Sequence, residues 1–264
     1  VYAAEDTLLR RRVAIKFPAP TAGHPDRLLS EARAASALNH PRIAAVYDCG
    51  EYEGRPYVVM ELVEGQRLSD LLREGPLPVV RCVEIVAQVA EALCEAHSRR
   101  IMHRDIKPSN IRINQRGAVK VVDFGLAKEL PARCAAVGAT TGDSTATFDG
   151  ALRGTPPYMS PEQARGYKGD ERSDIFSLGA VLYECLTGRP AFTGASPVEV
   201  LWQVLHVDPP LLPQSRPEVS PELDWITRKA LAKNPPERYQ QAADLLADLE
   251  VVRSTLTPAS GGTR

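Results

Sequence analysis

The sequence has almost no net charge: Lys plus Arg total 32, Asp plus Glu total 33, leaving −1 over 264 residues. Bulk electrostatics therefore gives no pull toward nucleic acid or another polyanion, and no nucleic-acid partner is expected. Long apolar runs are missing too. The most apolar stretch, Ile175–Leu186, is shorter than the roughly 18 residues that cross a bilayer, and it carries Glu184. No membrane contact is expected within the chain. Cysteine is sparse and poorly spaced for chemistry: Cys49, Cys82, Cys94, Cys134 and Cys185 are odd in number and contain no CxxC pair. That argues against zinc ribbons and thioredoxin-type sites, and the reading is reduced, structural thiols in a cytoplasmic protein. No internal repeat and no leader segment is seen. The chain opens on Val1-Tyr2 in mid-pattern, without Met, and a trimmed or partial sequence is expected.

What remains is ordinary globular composition, 44% hydrophobic and 25% charged. The length suits one large domain or two lobes sharing an interface. Residues 1–17 read as two short strands, the second being Arg12–Phe17. Pro25–Leu38 reads as a helix with Leu28, Leu29, Ala32, Ala35 and Leu38 on one face, stopped at Asn39-His40-Pro41. Strands follow at Ile43–Cys49 and Pro56–Leu62. From Pro78 the period changes. Val79–His97 is a long amphipathic helix, Ile111–Ile113 and Val119–Val122 are short strands, and helices follow at Ser173–Leu186, Val198–Leu205, Leu223–Ala232 and Gln241–Val252. The fold class expected is α+β and bilobal. A small antiparallel β-rich lobe with one helix spans residues 1–62, a hinge 61–66, and a larger α-helical lobe 67–252, with a linker or tail over 253–264.

Four segments carry chemistry: Val13-Ala14-Ile15-Lys16, His103-Arg104-Asp105-Ile106-Lys107-Pro108-Ser109-Asn110, Asp123-Phe124-Gly125 and Ser160-Pro161-Glu162. Together, in this order and spacing, they make the chain resemble the catalytic domain of eukaryotic-like Ser/Thr protein kinases of the bacterial branch. The likeness runs over residues 1–252. It implies ATP and Mg²⁺, with Mn²⁺ as a substitute, as cofactors and protein substrates as partners, with a kinase dimer for autophosphorylation in trans. It also implies a cytoplasmic location, alone or as the cytoplasmic part of a longer, membrane-anchored protein.

Physical chemistry explains why such residues are needed. Phosphoryl transfer asks for positioning and charge neutralisation rather than covalent chemistry. The resemblance makes Asp123 and Asn110 the metal ligands, and both are hard oxygen donors suited to Mg²⁺. Asp105 takes or orients the proton of the attacking hydroxyl, and Lys107 sets a compact cation near the γ-phosphate. Lys16 ends a strand toward the α- and β-phosphates, with Glu31 as its helix partner. Only seven of the 32 basic residues are lysines, so lysine at both motif positions is informative. For the adenine, the resemblance implies Ala14 above the ring, Met60 behind it, and Glu61 and Val63 along its edge, with Val1 among the nucleotide-binding residues. Arg104 would grip a phosphate on the activation segment, where Thr140, Thr141, Ser144, Thr145 and Thr147 are the candidate acceptors. Lys107 with Thr155 points to Ser/Thr rather than Tyr substrates. Glu162 with Arg238, and Asp174 against the catalytic loop, are read as structural. Phe124 and His103 are read as packing and hydrogen-bonded residues, and the other four histidines as incidental.

Two departures stand out. The Gly-rich phosphate loop of the family would lie upstream of Val1. Arg112 occupies the place beneath the adenine where the family has an apolar residue; an unpaired guanidinium there is costly unless its head snorkels to the lobe boundary. Two alternatives follow: a pseudokinase or scaffold (or a kinase inactive for want of that loop), and a small-molecule phosphotransferase of related fold. The first predicts no Mg·ATP-dependent rise in melting temperature. The Thr155–Glu162 segment, which builds a polypeptide platform in the family, argues against the second.

Overall fold

The computed structural model describes residues 1–17, 32–124 and 156–256. The first lobe is a four-stranded antiparallel sheet of β1 (Tyr2–Asp6), β2 (Arg11–Lys16), β3 (Val46–Tyr52) and β4 (Arg55–Glu61), in the order β1-β2-β4-β3. Alternation sets its faces. Ala14 opposes Met60 across β2–β4, and both are buried with Val58 and Ala32 in a small apolar cluster. Residues 32–36 are helical, within the expected helix Pro25–Leu38; residues 25–31 of that expectation, Glu31 included, lie outside the described residues.

The expected strand Ile43–Cys49 is displaced. β3 begins only at Val46, because the buried Ile43 bridges in parallel to Val121 of the second lobe instead. Val121 N–H donates to the Arg42 carbonyl at 2.8 Å, and Ala44 N–H donates to the Val121 carbonyl at 2.9 Å. That apolar pair joins the lobes rather than lengthening a hairpin.

The second lobe starts with β5 (Gln66–Arg67) and α1 (Leu68–Leu72), both too short for periodicity to reveal. α2 (Val79–Ser98) follows, then β6 (Ile111–Ile113) and β7 (Val119–Val121), which with β5 form a three-stranded sheet ordered β5-β6-β7. Gly65 leads into that sheet at φ +116°, and a Cβ there would strike the Ile113 carbonyl; only glycine fits so close a backbone approach. The helical remainder is α3 (Pro161–Ala164), α4 (Glu171–Thr187), α5 (Pro197–His206), α6 (Leu212–Ser215), α7 (Pro221–Ala230) and α8 (Ala242–Leu256). α8 extends four residues beyond the expected end at Val252, so the expected tail begins inside a helix.

α4 is buried on nearly every side, which accounts for its all-round apolar sequence. It packs between α2 and α7. Its burial makes it the fixed post on which the loops of the cleft are hung. No helix among the described residues is long and apolar enough to cross a membrane.

Candidate active site

The catalytic-loop string lies between α2 and β6, and its backbone hangs from one carboxylate. Asp174 of α4 is 1% exposed. Its Oδ2 accepts the His103 N–H at 2.8 Å, and its Oδ1 accepts the Arg104 N–H at 2.7 Å. The Arg104 carbonyl accepts from Gln163 Nε2 at 3.2 Å. These bonds hold Arg104 at φ +65°, a left-handed conformation that a non-glycine residue keeps only when its surroundings enforce it. Burial alone would raise the Asp174 carboxyl. The hydrogen bond and charge of His97, helped by His103, outweigh it and hold the carboxyl below its usual range.

His97 corrects the sequence reading, which set it aside as incidental. Its Nε2–H donates to Asp174 Oδ2 at 2.9 Å, and its Nδ1 is buried without a partner among the described residues. A carboxylate only accepts, so the proton is on Nε2. The signal was in the sequence: His97 lies four residues after Leu93, on the buried face of α2. His97→Ala leaves one Asp174 oxygen short of a donor and is expected to cost about 1–3 kcal/mol of stability. Activity should fall with the loosened loop, while the His97→Gln variant, which keeps a donor, loses less. Urea titration beside kinetics checks both.

His103 is fully buried and uses both ring nitrogens. Nε2–H donates to the Val122 carbonyl at 3.0 Å, and Nδ1 accepts the Asp105 N–H at 3.2 Å. Neither nitrogen is left to take a substrate proton, so His103 is a structural tie between the loop and the strand end before Asp123. Phe124, 4% exposed, meets the His103 ring edge-on at 4.6 Å between centroids.

The sequence-selected polar residues converge. Lys107 Nζ contacts Asp105 Oδ2 at 2.7 Å. Asn110 Nδ2 donates to the Asp105 carbonyl at 2.9 Å and to its Oδ2 at 3.3 Å. With the amide nitrogen so committed, the Asn110 amide oxygen is turned away from Asp105. The Asn110 carbonyl accepts the Val122 N–H at 2.9 Å, which brings Asn110 beside the strand end bearing Asp123. Asp123, at φ +69°, receives Lys16 Nζ at 2.8 Å across the two lobes. Among the described residues Lys16 pairs with Asp123; Glu31 lies outside the described residues, as do Thr155 and the candidate acceptors of the activation segment.

Ala14 and Met60 face each other in the first lobe, and Val1 is exposed at the start of the edge strand. Glu61, the last residue of β4, has a side-chain role that sequence reading missed. Its Oε2 pairs with Lys120 Nζ at 2.7 Å and accepts the Ala45 N–H at 3.2 Å. Val63 is half-buried in the same connection. Arg112 does not sit as a buried, unpartnered cation. It is half-buried, and its guanidinium donates to the Gly65 carbonyl at 3.1 Å. Its head is therefore satisfied by a backbone carbonyl and partly open to solvent, which avoids the cost of a buried, unpaired cation.

Behind the cleft, Glu162 and Arg238 form a two-pronged ion pair, with both N–O distances 2.8 Å. Arg238 also donates to the carbonyls of Ala232, Lys233 and Arg172, and Ser173 Oγ donates to Glu162 at 2.6 Å. Ser160 caps α3 reciprocally with Gln163, which sets the helix that carries Glu162.

A small antiparallel β-lobe over a helical lobe, with an ammonium–carboxylate pair spanning the cleft, defines a kinase-type fold. The chain belongs to the protein kinase domain family, whose model matches residues 1–248. It is 48% identical over 269 residues to the serine/threonine-protein kinase PknB of Mycolicibacterium smegmatis, covering 98% of this chain and 41% of that protein. Identity to PknB of Mycobacterium leprae is 47%, with the same coverage. A probable serine/threonine-protein kinase of Streptomyces coelicolor is 44% identical over 95% of this chain and 37% of its own length. The chain spans about two fifths of the length of these curated relatives.

Proposed function

We propose that the chain is the catalytic domain of a Ser/Thr protein kinase, working over residues 1–252 with ATP and Mg²⁺ (or Mn²⁺). The observation that carries this is the 2.8 Å Lys16–Asp123 contact beside the Asp105, Lys107 and Asn110 cluster. The donor set fits the metal: Mg²⁺ takes one or two protein oxygens and completes its shell with water and phosphate. Asp123 supplies a carboxylate and Asn110 an amide oxygen. Bound Mg·ATP supplies the phosphoryl group and offsets its charge.

The rest is positioning by the chain. Lys16 holds the α- and β-phosphate end and keeps Asp123 aimed into the cleft, with Glu31 steadying Lys16. Asp105, its carboxylate oriented by Lys107 and Asn110, accepts the proton of the substrate hydroxyl. Lys107 lies within reach of both that carboxylate and the transferring phosphoryl group, where a point charge counters developing negative charge. Ala14, Met60, Glu61, Val63 and Arg112, with Val1 at the edge, form the nucleotide end. Arg104 would bind a phosphorylated residue of the activation segment; its Nε is buried without a partner among the described residues. Autophosphorylation in trans between two copies would supply that phosphate. The domain is placed in the cytoplasm, alone or tethered to a membrane by further sequence.

Purified protein incubated with Mg·ATP and a generic protein substrate should yield phosphoserine or phosphothreonine by mass spectrometry. Folded protein that modifies neither the substrate nor itself would refute the proposal. A pseudokinase reading, motivated by Arg112, then predicts no Mg·ATP-dependent rise in melting temperature.

A further inference from the structure

We infer that Arg67 and Arg112 form an anion-binding pair at the mouth of the cleft, and that its ligand is an acidic side chain of the polypeptide substrate. The inference rests on the kinase reading and names a substrate class for it. Arg67 opposes Arg112 across β5–β6, and Arg112 opposes Lys120 across β6–β7. Residues opposed in a sheet project to the same face. The alternate residues Ile111 and Ile113 are buried in the helical-lobe core, so the three cations line the other face, toward the hinge.

One of the three is neutralised, since Lys120 pairs with Glu61 at 2.7 Å. The two arginines form no ion pair among the described residues, and Asp70, the nearby carboxylate, is engaged by Arg73 at 3.1 Å. Arg112 commits one N–H to the Gly65 carbonyl, out of the five a guanidinium carries. Partial burial, and then the charge of Arg67, disfavour its ionised form, while the charge of Asp70 opposes them in part. Like charges in opposed register repel. An oxyanion between them relieves that repulsion and takes up planar donor pairs that arginine presents well to carboxylates.

The nucleotide is not the natural source of this oxyanion. Its phosphates are assigned to Lys16 and, through the metal, to Asp123, which lies past the end of β7, at most about 10 Å from Lys120 in chain length. Arg67 lies two strand spacings further out, again about 10 Å, and is exposed. That is where a polypeptide reaching the cleft from solvent would lie.

The test uses two peptides with one Ser acceptor, carrying glutamates or isosteric glutamines on both flanks, with wild type, Arg67→Glu and Arg67→Lys. Arg67 is exposed, and equal melting temperatures check that the variants fold. Wild type is expected to favour the glutamate peptide about tenfold in kcat/KM, through KM, the size of one charge-assisted contact. The preference should vanish in Arg67→Glu, largely survive in Arg67→Lys, and shrink at high salt. Equal use of both peptides by wild type overturns the inference. So does an Arg67→Glu effect confined to the KM for ATP, which would give the anion to the nucleotide. Failure to phosphorylate either peptide counts against the kinase reading instead. Fluorescence anisotropy with Ala-acceptor peptides then decides separately: tighter binding of the glutamate peptide to wild type than to Arg67→Glu supports the pair, and equal binding rejects it.

Discussion

Asp123→Ala should reduce phosphoryl transfer by about a hundred- to a thousandfold, the scale of losing a preorganised electrostatic group, while leaving the protein folded. Asp123 is partly exposed, so its removal opens no core cavity. The substitution takes away a hard oxygen ligand and the partner of Lys16 together. Lys16 then has no fixed acceptor across the cleft, and the lobes lose a direct tie. Asp123→Asn preserves shape and one oxygen but removes the charge, leaving Lys16 a neutral acceptor, and it should fall between wild type and Ala. Asp105→Asn offers a contrast. It keeps an oxygen near Lys107 but cannot accept a proton, so kcat should fall about a hundredfold or more with the KM for ATP little changed. Measuring kcat and the KM for ATP separately, with circular dichroism on each variant, checks the set. Near-normal turnover by Asp123→Ala would remove that residue from the mechanism.

The second large effect concerns stability. Arg238→Ala should destabilise the helical lobe by about 3–5 kcal/mol, the cost of breaking a buried ion pair and stranding its carboxylate. Arg238 is 2% exposed. Its loss strands Glu162 and also frees the carbonyls of Ala232, Lys233 and Arg172. For a chain of this size that corresponds to a melting-temperature drop on the order of 10 °C. The same pair predicts a pH dependence. Burial raises the Glu162 carboxyl, but the hydrogen bonds and charge of Arg238, then the Ser173 hydroxyl, bring it below its ordinary value of 4.5. The unfolded chain therefore takes up this proton first as pH falls. The contribution is complete above about pH 4.5 and is lost on acidification through the lower folded-state value. Glu162→Gln should be less stable than wild type at neutral pH and should lose less of its remaining stability between pH 5 and pH 3 (roughly the span of that titration). Parallel slopes for the two proteins would show that Glu162 does not titrate as described.

Much of the fold was legible because its strong elements are periodic. The amphipathic stretch Val79–His97 matches α2 within one residue, and the strand Ile111–Ile113 matches β6. Boundaries failed where tertiary contact overrode local pattern. Ile43 has the apolar character of a strand residue, but its partner is Val121 in the other lobe. The five-residue α1 and the four-residue α3 were missed because neither completes two turns. The residues brought together in the cleft were legible only as strings that resemble a family. Nothing in the spacing of Lys16 and Asp123 states that they touch.

Sequence by itself determined which side chains exist to do the chemistry and which face of each long element seeks the core. Periodicity is a local property, and the motif strings are contiguous. It did not determine what stands opposite. His97 meets Asp174 across 77 residues, and Lys120 meets Glu61 across 59. The Arg67–Arg112 juxtaposition exists only through strand register. Such pairings depend on how α4 is buried and how the lobes close on one another. A hydrophobic pattern says that a face is covered, but only packing chooses the group that covers it, and at His97 that choice made a seemingly incidental histidine a support of the catalytic loop.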